Sequence, residues 1–224
     1  MVLDYRSTVY GRKRSLREIL SAERPGRLPD LDDPRLANTL GAAALLTYSR
    51  DGLQLPIIVP RTFNVSAHRG GWHCTVSTAT GWPSALHPDP GLKTFVTDRL
   101  IEQLRSEAGI RKEDIVWLEP VALCRELMRG GKPQIFFLGQ TKLDWDAIRV
   151  CIREARARVD VDVEPLEVFN MPLFRRPHQF GSDSELLRDY RREGYTSECA
   201  ANLYYYFKWR SALEAIRPSE PAGG

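Results

Sequence analysis

Apolar and polar residues along this chain follow two different periods, and the changes between them mark its elements. Thr39 to Tyr48 is a short, nearly uninterrupted apolar run that ends at Ser49-Arg50-Asp51-Gly52. Asp-Gly is a strong hairpin signal, because both residues tolerate positive φ. Leu55 to Val59 then reads as the return strand, and Pro56 places it at an edge or a strand start. A loop from Asn64 to Gly71 leads into Trp72 to Ser77, a third strand, and a Pro- and Gly-rich loop from Gly81 to Gly91 follows. From Lys93 to Ala108 the period becomes 3.6: Phe95, Val96, Leu100, Ile101 and Leu104 share one helical face, and Gly109 is placed to end the helix. Ile115 to Leu127 and Gln134 to Gly139, joined by a turn at Gly130-Gly131, read as an antiparallel pair. Asp144 to Arg158 is a second amphipathic helix with Ile148, Cys151, Ile152 and Ala155 on one face, and Leu166 to Asn170 is a last short strand. Ser182-x-x-Glu185 forms a capping box opening a helix to about Arg192, and Ser197 opens another.

Composition narrows the class without naming a function. The 224 residues are 42% hydrophobic and 27% charged, enough to bury a core without disulfide or metal staples. The net charge is +3, from 32 basic and 29 acidic residues, which gives no case for a dedicated DNA-binding or membrane-surface protein. Arg12, Lys13, Arg14 and Arg17 cluster near the N-terminus without interleaved aromatics, so they read as a solvated helix face. The four cysteines are far apart and form no C-x-x-C pair, which fits isolated thiols in a reducing compartment. No apolar leader or spanning segment is apparent, so the expectation is a bacterial-type cytoplasmic protein. Three divisions are expected: an N-terminal extension at 1–37, a core domain at 38–175, and a helical C-terminal extension at 176–224 packed on the core.

The ordered set strand, hairpin, strand, loop, helix, hairpin, helix carries a more specific signal. Within it stands Glu102-Gln-Leu-Arg-Ser-Glu-Ala-Gly-Ile110. Over about residues 39 to 160 the sequence resembles the Nudix superfamily, whose box runs G-x5-E-x7-R-E-U-x-E-E-x-G-U with U a bulky aliphatic residue. Gly70-Gly71-Trp72 resembles the strand entry before the box, and Gly131 to Leu138 the strand after it. Leu104, Glu107, Gly109 and Ile110 agree with the box. Glu102 stands where the family has Arg, while Gln103 and Ser106 stand where it has Glu. Thr94 and Pro88 fall at the upstream Glu and Gly, unless Gly81 takes the glycine's part across a longer loop.

The resemblance implies an α/β (α+β) fold, with a mixed sheet sandwiched between helices. It also implies hydrolysis of a nucleoside diphosphate linked to another group, with Mg²⁺ or Mn²⁺ held by carboxylates one helical turn apart. Here that face offers Gln103, Ser106 and Glu107, one carboxylate in three positions. The candidates are therefore Glu107 and Glu102 as catalytic groups and Glu107 with Asp98 as metal ligands. Asp98 and Glu102 share a face at i, i+4 and could form a relocated site; the plainer alternative is an exposed face paired with Arg99 or Arg105. Arg61, Trp72, His73, Trp82 and Gln103 are the candidate ligand contacts, with His87 nearby. The expected partner is a nucleotide or phosphorylated small molecule, with hydrolysis weakened or lost.

Three alternatives remain open. One is an atypical active hydrolase drawing on Asp98, Glu102 or Asp89. Another is an interaction module, with a homodimer contact through the aromatic run Tyr204 to Trp209. The last is a different chemistry at Cys74 and His73, against which strand alternation places the two side chains on opposite faces.

Overall fold

A computed structural model of the chain describes residues 16–27, 30, 39–60, 71–80, 91–126, 131–158, 166–167 and 194–216. A short helix, α1 (Leu16–Glu23), precedes the hairpin β1 (Leu40–Arg50) and β2 (Leu53–Pro60). The short strands β3 (Trp72–His73) and β4 (Val76–Thr80) lead to helix α2 (Leu92–Glu107). A single 3-10 turn (Lys112–Asp114) enters the pair β5 (Ile115–Glu126) and β6 (Lys132–Thr141). Then come helix α3 (Trp145–Ala157), strand β7 (Leu166–Glu167) and the long helix α4 (Ser197–Ile216). The basic cluster Arg12 to Arg14, and the helix expected from Ser182, lie outside the described residues.

β1 organises the sheet. It pairs in parallel with β6, and on its other edge with two antiparallel strands in succession, β4 along Leu40 to Ala44 and β2 along Thr47 to Arg50. Where β1 changes partners, Thr75 fills the gap. Its hydroxyl accepts from the Leu46 N–H at 2.9 Å and donates to the Ile57 carbonyl at 2.8 Å. The Trp72 to Ser77 segment, read as one strand, is therefore two, because Cys74 and Thr75 leave the ladder to make this bridge. The β1–β2 turn is as expected from Asp-Gly, with Asp51 at φ 51° and Gly52 at φ 75°.

The sheet is covered on both faces, which is why β1 reads as a continuous apolar run rather than an alternating one. Ala42, Ala44, Leu46, Ile135 and Phe137 face a core closed by α2 and α3. Ala43, Leu45, Phe136 and Leu138 face the opposite core, closed by Cys199, Leu203 and Tyr206 of α4. The aromatic run on α4 is thus turned largely inward: Tyr205 lies against Phe136 and Trp209 against Trp117, with ring centroids 5.9 and 5.4 Å apart. No helix among the described residues is long and apolar enough to cross a membrane.

Burial in the α4 core has a consequence in alkali. Desolvation holds the Cys199 thiol well above its ordinary value near 9.0, and the neighbouring Cys74 and Glu198 push the same way. In the unfolded chain the thiol ionises near that value, while in the fold it stays protonated. Stability is therefore intact below pH 9 and lost as pH rises beyond it, by up to about 1.4 kcal/mol per pH unit. Denaturant midpoints across alkaline pH should fall less steeply for Cys199→Ala than for the native chain. Equal slopes would remove Cys199 from this account.

Candidate functional site

The end of α2 is the point at which the box resemblance meets geometry. Phe95, Val96, Leu100 and Leu104 anchor the helix on the sheet. At its C-terminus Gly109 adopts φ +68°, and the Ile110 N–H reaches back to the Leu104 carbonyl at 3.1 Å, sending the Ile110 side chain into the core. This leaves Glu107 exposed at the last turn of the helix, three residues after the buried Leu104. One turn earlier, Gln103 donates its amide to Glu107 Oε1.

A third group completes the cluster. Arg156, on the last turn of α3, is only 7% exposed and donates from Nη1 to the Pro60 carbonyl at the end of β2, at 2.8 Å. Burial lowers its pKa, and the Glu107 carboxylate partly restores it. Glu107 thus lends its negative charge to a desolvated guanidinium. Sequence reading missed Arg156, although a signal existed: it continues the i, i+4 series Ile148, Ile152, where the stripe should be apolar.

The other carboxylates of α2 do not join Glu107. Asp98 precedes it by nine residues, which turns it about 180° around the helix and sets it roughly 13 Å along the axis. Two ligands of one Mg²⁺ or Ca²⁺ each lie within about 2.0–2.6 Å of the ion, so Asp98 and Glu107 cannot share one. Glu102 is also turned away, and its carboxylate accepts from Arg99 Nη1 at 2.9 Å, the solvated ion pair that was the plainer expectation. Among the described residues no group of three or more His, Cys, Asp or Glu side chains is placed to hold a metal. Among the described residues, a carboxylate engaged by an amide, with a buried cation beside it, does not fit Mg²⁺ or Mn²⁺. Hard dications seek oxygen-rich, negative surroundings.

Trp72 and His73 belong to the other face of the sheet. The Trp72 N–H donates to the Gly194 carbonyl, and the Thr196 N–H to the Trp72 carbonyl, both at 2.9 Å, so β3 is stitched to the segment leading into α4. His73 is buried in that seam, Nδ1 lying 2.6 Å from Thr196 Oγ1 and Nε2 2.8 Å from Ser77 Oγ. Glu198 Oε2 is 3.9 Å from Nδ1, and Thr196 also accepts the Cys199 N–H at 3.1 Å, capping α4. Both ring nitrogens are occupied, so His73 acts as a fastener between β3 and α4, on the side of the sheet away from Gln103 and Glu107. Cys74 Sγ lies 3.6 Å from His73 Nε2, closer than strand alternation allows, because the strand ends at His73. The thiol is fully buried and donates to the Val76 carbonyl at 3.3 Å, so no substrate reaches it. Arg61, Trp82, His87 and Asp89 lie outside the described residues.

No family model and no curated relative matches the sequence. Solved structures match it at low identity. The chain is similar to a mutT/nudix family protein from Listeria innocua, at 8% identity and TM-score 0.46, over 80% of this chain and 96% of that one. It is similar to the C. elegans Ap4A hydrolase at 13% identity and TM-score 0.40, over 77% and 98% of the two chains. It is also similar to the NUDIX domain of Shewanella oneidensis NrtR, solved in complex with ADP ribose, at 14% identity and TM-score 0.35, over 57% and 72%.

Proposed function

We propose that this chain is a Nudix-like protein that binds a nucleotide or another phosphorylated small molecule, and in which metal-dependent hydrolysis is weakened or lost. The observation that carries this reading is the state of Glu107. It is the one carboxylate on the face where the family collects three, it accepts the Gln103 amide, and it compensates the buried charge of Arg156. A carboxylate so engaged is a poor ligand for a hard dication and a poor base. Binding does not need either role. In the same reading, residues 38–175 form the binding core, and residues 176–224 pack on it.

The test is a panel of dinucleotides, sugar nucleotides, nucleoside triphosphates and ADP-ribose, each with and without Mg²⁺ or Mn²⁺. Nucleotide release and thermal unfolding are followed together. The expected result is stabilisation by one class without turnover. At a ligand concentration of 100 times Kd the gain is about 2.7 kcal/mol, or roughly 5–10 °C for a chain of this size. Metal-dependent turnover that disappears in Glu107→Gln would overturn the loss of hydrolysis and favour an active, atypical hydrolase. Neither stabilisation nor turnover across the panel would overturn the binding reading.

A further inference from the structure

Ser77 stands opposite Ala43 in the β1–β4 ladder, on the α4 face of the sheet, and its Oγ lies 2.8 Å from His73 Nε2. We infer that this pair is a catalytic site of its own, with Ser77 the nucleophile and His73 its base, and that it cleaves small carboxylic esters.

The order of groups is that of a serine hydrolase relay: hydroxyl, imidazole, acid. On the far side of the ring, Nδ1 lies 2.6 Å from Thr196 Oγ1 and 3.9 Å from Glu198 Oε2. A carboxylate so near favours the imidazole proton on Nδ1, because the other tautomer would turn a lone pair toward negative charge. Nδ1–H then donates to Thr196 Oγ1, and the Nε2 lone pair faces the Ser77 hydroxyl, as a base requires. The Cys74 thiol, 3.6 Å from Nε2, donates to the Val76 carbonyl and does not take that lone pair. The ring is 6% exposed in the seam between β3 and α4, so its orientation is fixed before any substrate arrives.

The nucleophile is the accessible member. His73 and Cys74 are buried, whereas Ser77 is half-buried, and beside it Thr78 is half-buried and Ala79 exposed. β4 pairs only with β1 among the described residues, so alternate backbone N–H groups near Ser77 point away from the ladder, where they can take the charge of an oxyanion. Ser77 Oγ adds to the ester carbonyl carbon while its proton passes to Nε2. The bond to the alcohol then breaks, and the departing oxygen takes the proton from Nε2. Water, giving a proton to Nε2, cleaves the acyl-Ser77 ester and releases the carboxylic acid.

A fluorophosphonate probe, which loses fluoride to an attacking serine, tests the assignment when followed by peptide mass mapping, with p-nitrophenyl acetate hydrolysis measured in parallel. The expected result is an adduct on Ser77 and a burst of p-nitrophenol, both reduced about a hundredfold or more in Ser77→Ala. Thr78→Ala, which removes the neighbouring hydroxyl, should leave both unchanged. Glu198→Gln keeps the shape of the seam and should slow labelling about tenfold or more, since the tautomer is no longer enforced. His73→Gln retains an amide able to span Thr196 and Ser77 but cannot take the proton, so labelling should be lost while circular dichroism shows a folded chain. The site is overturned if Ser77 is not labelled, if Ser77→Ala hydrolyses the ester at the native rate, or if labelling of Ser77 is as fast in Glu198→Gln as in the native chain.

Discussion

Replacing Gly109 with alanine is expected to lower the unfolding free energy by about 3 kcal/mol, the sum of a left-handed backbone penalty of roughly 1–2 kcal/mol and a steric one of similar size. Gly109 has φ +68°, and the added Cβ would lie 2.5 Å from the Cys151 carbonyl oxygen, a backbone atom that cannot rotate away. Gly52 separates the two causes. Its φ is +75°, but nothing lies within 4 Å of its would-be Cβ, so Gly52→Ala should show the backbone penalty alone. The excess of Gly109→Ala over Gly52→Ala measures the α2–α3 approach. In a chain of this size about 3 kcal/mol corresponds to a fall of roughly 6–12 °C in Tm. Equal losses at the two glycines would mean that the turn does not rest on α3 in solution. The glycine the box resemblance requires is thus explained locally: it ends α2, sends Ile110 into the core, and admits the backbone of one element against another.

What the sequence could reveal divides along the same line between local and distant causes. The β1–β2 hairpin follows from Asp51-Gly52, α2 and α3 from apolar residues at the 3.6 period, and the end of α2 from Gly109. Each of these is decided within a few residues, and the structure places the elements within one or two residues of expectation. The single strand read from Trp72 to Ser77 fails because its break depends on β1 changing partners, a fact that lies some thirty positions away in the chain. Trp72 and His73 read as pocket residues because nothing local says that α4 returns to the opposite face, where Thr196 at its start takes His73 Nδ1 while Ser77 of β4 takes Nε2. The Asp98 and Glu107 pairing is different. Nine residues at about 100° each is half a turn out of phase, so sequence arithmetic alone separates them. Arg156 was partly legible as a charge on an apolar stripe. Its link to Glu107 required knowing that the ends of α2, α3 and β2 meet.

Tyr206→Ala should be the most damaging single change on the α4 side, costing about 4 kcal/mol, since truncating a buried aromatic typically removes 3–5 kcal/mol. The ring is 1% exposed in the core between α4 and the sheet, and it packs near Phe207 and Trp209, at 5.1 and 6.4 Å between centroids. Its hydroxyl donates to the Gln54 carbonyl at 2.5 Å and accepts from Arg210 at 3.3 Å, so it ties α4 to β2 at the hairpin that organises the sheet. Tyr206→Phe removes only that hydroxyl and should cost about 1 kcal/mol, the ordinary net worth of a hydrogen bond. The difference between the two variants is then the packing of the ring. Urea denaturation followed by both tryptophan fluorescence and far-ultraviolet circular dichroism checks more than the magnitude. If α4 is part of the folding unit, the two probes report one coincident transition, displaced together by Tyr206→Ala. A cost below 1 kcal/mol, or a separate early transition for helix loss, would detach α4 from the sheet. It would also free the aromatic run Tyr204 to Trp209 for contact with a second copy of the chain.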